Sequence, residues 1–160
     1  MTWADAKSAL KIALEGLVAE IPDGDDGDTV ERTIQAVHKT PPASIEPGDV
    51  PCIVMGESTL DDDWGPEGLS EYGLTCSLLL RDEDVARAVE WAEAFREVVK
   101  DALRLNVSLG GAISVINGVS FTAVSGDLIW AGRAWTGFRF TLPMVVFEAV
   151  DFAVGDGVRP

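Results

Sequence analysis

The residues of this chain whose types and spacing could do chemistry are acidic, and they are gathered in two short segments. Residues 20–31 and residues 57–71 contain no lysine or arginine. The first segment holds Glu20, Asp23, Asp25, Asp26, Asp28 and Glu31, and the second holds Glu57, Asp61, Asp62, Asp63, Glu67 and Glu71. Carboxylates at this density can bind hard cations, act as acid–base pairs, or repel the phosphates of nucleic acid.

Neither segment has the spacing of a calcium-binding loop, which places oxygen ligands at alternate positions before a glycine. Counting from Asp23, the fifth position is Gly27, and counting from Asp61 it is Gly65, so a ligand is missing in both. Loose binding of a divalent cation by Asp61–Asp63 stays open as an alternative. The sequence therefore predicts no metal site and no cofactor.

The residues needed for catalysis are few. The chain has one histidine, His38, and lacks the Walker, nucleophile-elbow, HExxH and CxxC motifs. His38 lies at a predicted strand end, where a solvated or capping imidazole is expected rather than a general base. Cys52 and Cys76 each lie in an apolar run, so we expect two buried, reduced thiols, with a disulfide as the alternative. We predict that the protein is not an enzyme.

The net charge of −15 belongs to the two acidic segments rather than to the whole surface. Without their twelve acids, fifteen acids face twelve lysines and arginines, which leaves −3. A surface that grips phosphate carries the opposite sign, so the composition excludes a general nucleic-acid binder. The concentration of acidic residues in two segments therefore indicates that these segments have a local function.

The elements that must position these segments follow from hydrophobic spacing. Apolar residues at steps of three and four predict an amphipathic helix from Trp3 to Ile21, begun by a Thr2–Asp5 capping box and ended by Pro22. Strands are predicted after it, over residues 29–38, 50–55 and 72–80. Residues 56–71 are left as a long acidic loop, which in a compact domain indicates either function or disorder.

A second amphipathic helix, capped by Asp82, is predicted from Val85 to Leu103. Beyond it, Asn117-Gly118 is a hairpin signal between strands 112–116 and 119–124, because both residues tolerate positive φ. The last strand spans residues 135–147, and Pro143 indicates a bend or a sheet edge there.

The predicted fold class is α+β. A mostly antiparallel sheet carries two amphipathic helices packed on it, in the order α-β-β-β-α-β-β-β. We expect one domain over residues 1–150 and a C-terminal tail over residues 151–160. Trp64, Trp130 and Trp135 are candidate interface anchors, because strand and loop tryptophans in so apolar a chain serve cores or interfaces more often than stacking platforms.

The layout of the chain resembles a known family over roughly residues 3–148. An amphipathic helix leads through a proline-rich connection into the strand Val50–Val54, and a long loop, the strand Leu74–Leu80 and an acid-capped helix follow. A hairpin and the aromatic strand Phe138–Phe147 complete it. This arrangement is similar to that of the tail-terminator, or tail-completion, proteins of siphophages, particularly those that infect actinobacteria. The likeness is one of layout, and no individual functional residue is carried over.

The resemblance implies a subunit of a ring, usually a hexamer, at the head-proximal end of a phage tail tube. Such a ring stops tube polymerisation and presents a surface to the head connector. The implied partners are further copies of the chain, the tail tube protein and the head-completion or connector protein. Genomic DNA passes through the ring without specific binding, and no membrane is involved. We expect the protein in the virion tail after assembly in the host cytoplasm.

A lumen that repels phosphate would let DNA slide, so we expect one acidic segment, residues 57–71, to line the channel or its rim. The alternative is that the acids only keep the subunit soluble. Two other roles compete: a head-completion or neck protein of the same virion, and an acidic DNA-mimic inhibitor with phosphate-like spacing on a rigid face. A small enzyme or ligand-binding domain would need a deep pocket with a carboxylate of perturbed pKa.

Overall fold

The computed structural model describes residues 2–22, 27–62, 69–80, 85–106, 108–111, 115–116, 118–130 and 132–147. Within these residues the chain forms an α+β fold with two helices and nine strands. Every strand pair there is antiparallel except one. The predicted class, a mostly antiparallel sheet with two helices, is therefore confirmed.

The elements follow one another in an order that differs from the predicted one. The helices are α1 (Trp3–Leu14) and α2 (Val85–Leu105). The strands before α2 are β1 (Val18–Pro22), β2 (Thr29–Thr33), β3 (Ala36–His38), β4 (Cys52–Asp62) and β5 (Leu69–Leu80). Those after it are β6 (Val115–Ile116), β7 (Ser120–Phe121), β8 (Ser125–Trp130) and β9 (Arg133–Phe147). Five strands thus precede the second helix, where three were predicted.

The main sheet is built on the long pair β5 and β9. They pair over twelve positions, from Leu69 opposite Phe147 to Leu80 opposite Thr136. On one side β4 and then β3 extend the sheet, and on the other side β6, β7 and β8 follow one another along β9. The strand pair β1–β2 forms a separate hairpin.

The core lies between one face of the main sheet and the two helices. Side chains alternate across a strand, so every second residue of β5 and β9 faces the helices. The fully buried residues on this side include Leu74, Cys76, Leu78, Phe138, Phe140 and Leu142 from the sheet, and Leu10, Leu14, Phe95 and Val99 from the helices. A smaller apolar cluster covers one end of the opposite face and consists of Ile45, Cys52, Val54, Leu79, Leu128 and Trp135.

The two cysteines are free thiols buried in different clusters. Cys76 belongs to the core under the helices and Cys52 to the cluster on the opposite face. Burial raises the pKa of Cys52 to about 12, and burial also raises the pKa of Cys76. The expected reduced thiols are confirmed, and the alternative of a disulfide between them is wrong.

The N-terminal helix begins as predicted and ends early. The backbone N–H of Thr2 donates to Asp5 Oδ2 at 3.0 Å, and the backbone N–H of Asp5 donates to Thr2 Oγ1 at 3.1 Å, which is a capping box. The helix stops at Leu14, and Gly16 takes a φ of 77°. Ile21 was predicted on the apolar face of this helix but lies on β1. It is buried there because it is on the side of the strand that packs against α2.

The single strand predicted over residues 29–38 is two strands in different sheets. Between β2 and β3 the backbone N–H of Ile34 donates to the Leu17 carbonyl at 2.9 Å, and that of Gln35 donates to the Pro51 carbonyl at 2.7 Å. The chain therefore passes from one sheet to the other at these two residues. Local sequence does not mark the change, because the partners come from distant positions.

The predicted loop over residues 56–71 is also wrong for most of its length. β4 runs on to Asp62 and β5 begins at Leu69, so the described part of this segment is a β-hairpin. The segment is polar and has no alternating apolar positions, so its sequence did not indicate a strand. The strand forms because it pairs with β5, which is itself paired with β9. Asp63, Trp64 and Glu67 lie outside the described residues.

The hairpin predicted at Asn117-Gly118 does not form between the strands that flank it. β6 and β7 both pair with β9, and the chain turns back into β9 after β8. Pro143 lies between Met144, which is opposite Ile116 of β6, and Thr141, which is opposite Ser120 of β7, while Gly73 of β5 is opposite it on the other side. It is therefore part of an interior strand, and the prediction of a sheet edge at Pro143 is wrong. Asn117, like the predicted cap Asp82, is outside the described residues.

Candidate functional site: the acidic hairpins and the open face

The first acidic segment belongs to the β1–β2 hairpin. Its two strands pair over five positions, with Glu20 directly opposite Glu31. Both glutamates are exposed, whereas Ala19 and Ile21 on the other side of β1 are buried. The acids therefore share the outer side of the hairpin, where like charges at opposite positions destabilise the strand pair.

The inner side of this hairpin packs on α2. The guanidinium carbon of Arg32 lies 5.7 Å from the ring centroid of Trp91, which is a cation–π contact. Arg32 alternates with Glu31 along β2, so its charge is directed to the inner side. Asp28 is exposed, while Asp23, Asp25 and Asp26 lie outside the described residues.

The second acidic segment is the outer end of the β4–β5 hairpin. The backbone register places Asp61 directly opposite Glu71 and Asp62 opposite Ser70. Glu71 is exposed on β5. In both segments the backbone register thus pairs one acidic residue with another.

Four glutamates of the two segments form no salt bridge within the described residues. Lys100 and Glu97 on α2 form a salt bridge of 2.8 Å. No described residue forms a salt bridge with Glu20, Glu31, Glu57 or Glu71. Their mutual repulsion is therefore screened only by solvent and salt.

Glu57 lies at an irregularity of β4. The pairing of β4 with β5 shifts register between Met55 and Ser58, and Glu57 is exposed within this bulge. β3 pairs with β4 only as far as Val54, so the described residues place no strand beside the rest of its outer edge. A bulge and a charged side chain on an exposed strand edge hinder the pairing of a strand from another molecule with that edge.

Glu57 and Trp130, both singled out from the sequence, line one cavity of about 290 Å³. This cavity lies on the open face, which we define as the side of the main sheet away from the helices. Its lining consists of Gly56, Glu57, Thr75, Ser77, Trp130 and Arg139. A Cβ atom at Gly56 would come within 3.2 Å of the Thr75 carbonyl oxygen and 3.7 Å of the Trp130 ring. The approach to the Thr75 carbonyl oxygen is tight, whereas that to the indole is an ordinary van der Waals contact, so Trp130 lies close to the backbone of β4 at Gly56.

The two described tryptophans of the last strands have different environments. Trp135 is 2% exposed, and its Nε1 donates to the Trp130 carbonyl at 3.2 Å. The guanidinium carbon of Arg133 lies 5.2 Å from the Trp135 ring centroid. Trp130 is half-buried, and its own Nε1 is buried without an acceptor among the described residues. Trp135 thus packs within the chain's own interior, while Trp130 borders the open face.

Arg139 was missed in the sequence, although a signal for it exists. It stands between Phe138 and Phe140 on β9, and those two rings are buried in the core. A charged residue between two buried aromatics must face the other side of a strand. Strand alternation therefore marks Arg139 as a residue of the open face.

His38, the one histidine of the chain, is half-buried at the end of β3. Among the described residues, no group of three histidine, cysteine, aspartate or glutamate side chains is placed to hold a metal ion. No helix in the described ranges is both long enough and apolar enough to span a membrane.

No family model matches the chain, and no curated protein matches it either. What the chain does is therefore inferred from its residues and their arrangement. The features that bear on function are the two acidic hairpins, the free edge of β4 and the open face.

Proposed function

We propose that the chain is a structural subunit of a phage tail that assembles into a ring at the head-proximal end of the tail tube. The ring ends tube polymerisation and joins the tail to the head connector, and it is a hexamer in the family that the layout resembles. The observation that carries this proposal is the concentration of acid on two hairpins, in which Glu20 lies opposite Glu31 and Asp61 opposite Glu71.

The acidic pairs support a role outside the subunit because they oppose its folding. A like-charged pair at directly opposite strand positions destabilises the strand pair. Local features that conflict with stability are expected at functional sites. A wall of carboxylates repels phosphate, so it would keep duplex DNA from adhering while it passes.

The β4–β5 hairpin is the better candidate for the channel or its rim. Its outer end carries Asp61, Asp62 and Glu71, and Leu60 beside them is 48% exposed. The β1–β2 hairpin, by contrast, is fixed against α2 by its inner side. An exposed strand end reaches beyond the core, and such an element can enclose a lumen when copies are arranged around an axis.

The candidate surfaces for the proposed protein partners lie on the main sheet. A closed ring needs two complementary patches on each subunit, and further patches must meet the tube and the connector. The free outer edge of β4 and the open face around Trp130 and Arg139 are the described candidates. The two surfaces meet at Glu57, which lies on the free edge of β4 and also lines the cavity of the open face.

Tube capping is the experiment that tests the proposal. The protein is added to polymerising tail tube protein from the same phage, and tube lengths are measured by electron microscopy. We expect shorter tubes as the ratio of this protein rises, with extra density at one end. Tube lengths that do not change at any ratio would contradict the role.

The same experiment separates the competing roles. A protein that binds the head connector but leaves tube length unchanged is a head-completion or neck protein. A monomer that inhibits a basic nuclease strongly at low salt is a DNA mimic.

Two matched double variants test whether the β4–β5 hairpin lines the channel. The variant with Asp61→Asn and Glu71→Gln should still cap tubes, but its rings should retain DNA. The control with Glu20→Gln and Glu31→Gln should match the parent protein in both tube capping and DNA retention.

A further inference from the structure

One row of residues crosses the main sheet from the free edge of β4 to β6. Leu60 of β4 lies directly opposite Tyr72 of β5, which in turn lies opposite Met144 of β9. Met144 lies opposite Ile116 of β6. Directly opposite residues of antiparallel strands share a face, and Tyr72, Met144 and Ile116 all belong to the core under the helices. The whole row is therefore on the helix side of the sheet.

The first end of this row is an apolar side chain on a free edge. Leu60 is 48% exposed, whereas Tyr72 beside it is 9% exposed and stacks on the ring of Trp3. β3 pairs with β4 only as far as Val54, so the described residues place no strand beside Leu60 on its outer side. The chain's own core therefore leaves Leu60 half uncovered.

The other end of the row is the floor of a groove. Ile116 lines a groove of about 330 Å³ between the C-terminal end of α2 and the strands β6 and β7. Leu103 and Ile116 are 2% and 6% exposed, while Val119 and Phe121 are half-buried. The remaining lining residues are Lys100, Arg104 and Gly118. The groove is therefore largely apolar, with two cations at its border.

The charges around the two ends of the row are opposite. Residues 57–71, which include Leu60, hold six acids and no lysine or arginine. At the groove, Lys100 pairs with Glu97 at 2.8 Å, whereas Arg104 is exposed and forms no salt bridge within the described residues. An apolar side chain within an acidic segment thus matches an apolar groove bordered by a free cation.

The two ends cannot meet within one chain. Neighbouring strands are about 4.8 Å apart, so three intervals place Leu60 roughly 14 Å from Ile116. Copies set side by side at the same level of the sheet would bring Leu60 of one copy to the groove of the next. A contact between two different patches of this kind closes into a ring when the rotation between copies allows it.

We propose that Leu60 of one copy inserts into the groove of the next copy, against Val119 and Phe121, with the acidic end of the β4–β5 hairpin beside Arg104. This contact rests on the proposed function, because it is the interface between neighbouring subunits of the ring. Apolar burial supplies the affinity, and the opposite charges fix the orientation. Side chains make the contact, so it needs no strand pairing across the edge of β4.

Disulfide trapping between copies tests the contact while keeping it in place. The full chain with Leu60→Cys and Val119→Cys is oxidised, and linked chains are counted on a denaturing gel without reductant. We expect a ladder of linked chains that ends at the ring size, because each copy offers one cysteine to each neighbour. Cysteines about 14 Å apart are too distant for a disulfide within one chain. The native cysteines are buried, and burial raises the pKa of both thiols, so they react slowly.

The controls for trapping are the two single substitutions and a displaced pair. Leu60→Cys alone and Val119→Cys alone should stay unlinked. The displaced pair is Ile129→Cys with Val119→Cys, since Ile129 is 63% exposed near the start of β9, and it should stay unlinked as well. Linked dimers of Leu60→Cys alone, or equal linking of the displaced pair, would overturn the proposal.

Mixing two charged variants tests the direction of the contact. Leu60→Asp and Val119→Asp should each raise the Kd between copies by more than about tenfold, because each removes apolar burial. Ile129→Asp should leave the Kd unchanged. Each of the first two variants keeps one intact patch, so their equimolar mixture should form a dimer of one copy of each and stop there. Native mass spectrometry measures these species, and a mixture that stays monomeric would overturn the proposal.

The charge at the groove should contribute less than the apolar contact. Arg104→Glu should raise the Kd between copies by about two- to fivefold, as expected for one exposed ion pair. The effect should shrink at high salt, because exposed charges are screened. A Kd that does not change at low salt would overturn the assigned orientation of the hairpin.

Failure of this contact can be distinguished from failure of the proposed ring. A parent protein that forms rings while the Leu60→Cys, Val119→Cys variant stays unlinked would overturn the contact alone. A parent protein that stays monomeric at every concentration would overturn both.

Discussion

Glu20 and Glu31 lie directly opposite each other on the outer side of the β1–β2 hairpin, and both are exposed. The same relationship recurs in the backbone register of Asp61 and Glu71 at the end of the β4–β5 hairpin. Two unrelated parts of the chain thus place acid against acid in strand pairs. These acids of the two segments therefore lie on paired strands.

Changing Glu31 to lysine should stabilise the isolated protein. The substitution turns a repulsive pair with Glu20 into an attractive one, so we expect a gain of about 0.2–1 kcal/mol in the free energy of unfolding. Urea denaturation at low salt measures it, and the gain should shrink in high salt because exposed charges are screened. Glu31→Gln is the control and should give a smaller gain. A loss of stability with Glu31→Lys would show that the two side chains do not repel each other.

A methyl group at Gly137 should severely destabilise the sheet. A Cβ atom there would overlap the carbonyl oxygen of Leu78, and neither backbone can yield inside the paired strands β5 and β9. We expect Gly137→Ala to cost about 3 kcal/mol or more in the free energy of unfolding. Gly48→Ala, which meets no atom within 4 Å, should change it by less than about 0.5 kcal/mol. Similar effects of the two substitutions would contradict the described packing.

The ring stack of Trp3 on Tyr72 should hold α1 to the sheet. The ring centroids are 4.2 Å apart and the planes differ by 2°. A double-mutant cycle with Trp3→Leu and Tyr72→Leu should give a coupling energy of about 0.5–1.5 kcal/mol, the range for aromatic pairs. Thermal or urea unfolding of the four proteins measures it. A coupling energy near zero would mean that the two rings do not interact in solution.

The capping box should make the start of α1 sensitive to acid. Hydrogen bonds from the backbone N–H and the hydroxyl of Thr2 hold the pKa of Asp5 below its ordinary value of 3.8. Because the pKa is lowered on folding, the stabilising effect is present above that value and is lost as the pH falls through the folded pKa. An NMR titration of the Asp5 carboxyl carbon should show a midpoint below 3.8. In Thr2→Ala the midpoint should return toward the ordinary value, and an unchanged midpoint would contradict the capping box.

The parts of the fold that depend on local spacing were predictable from the sequence. The capping box at Thr2 is set by residues a few positions apart and forms as predicted, although α1 ends at Leu14 rather than at Ile21. The second helix begins at Val85, as predicted, and ends at Leu105. The buried, reduced state of Cys52 and Cys76 followed from the apolar runs around them.

The parts that depend on distant partners were not predictable. β4 extends through polar residues to Asp62 because β5 offers it a ladder, and β5 is in turn held by β9. Asn117-Gly118 has the sequence of a hairpin turn, yet the strands on either side of it both pair with the longer strand β9. The cavity lined by Glu57, Trp130 and Arg139 was not predictable, because it depends on this order of strand pairing.

Native mass spectrometry of the purified full chain across a range of concentrations tests the central claim most directly. A ring subunit should populate one closed oligomer of defined size, a hexamer if the family resemblance holds, with few open intermediates. Electron microscopy of the same sample should show rings with a central channel. A protein that stays monomeric at every concentration, with and without tail tube protein, would contradict the account.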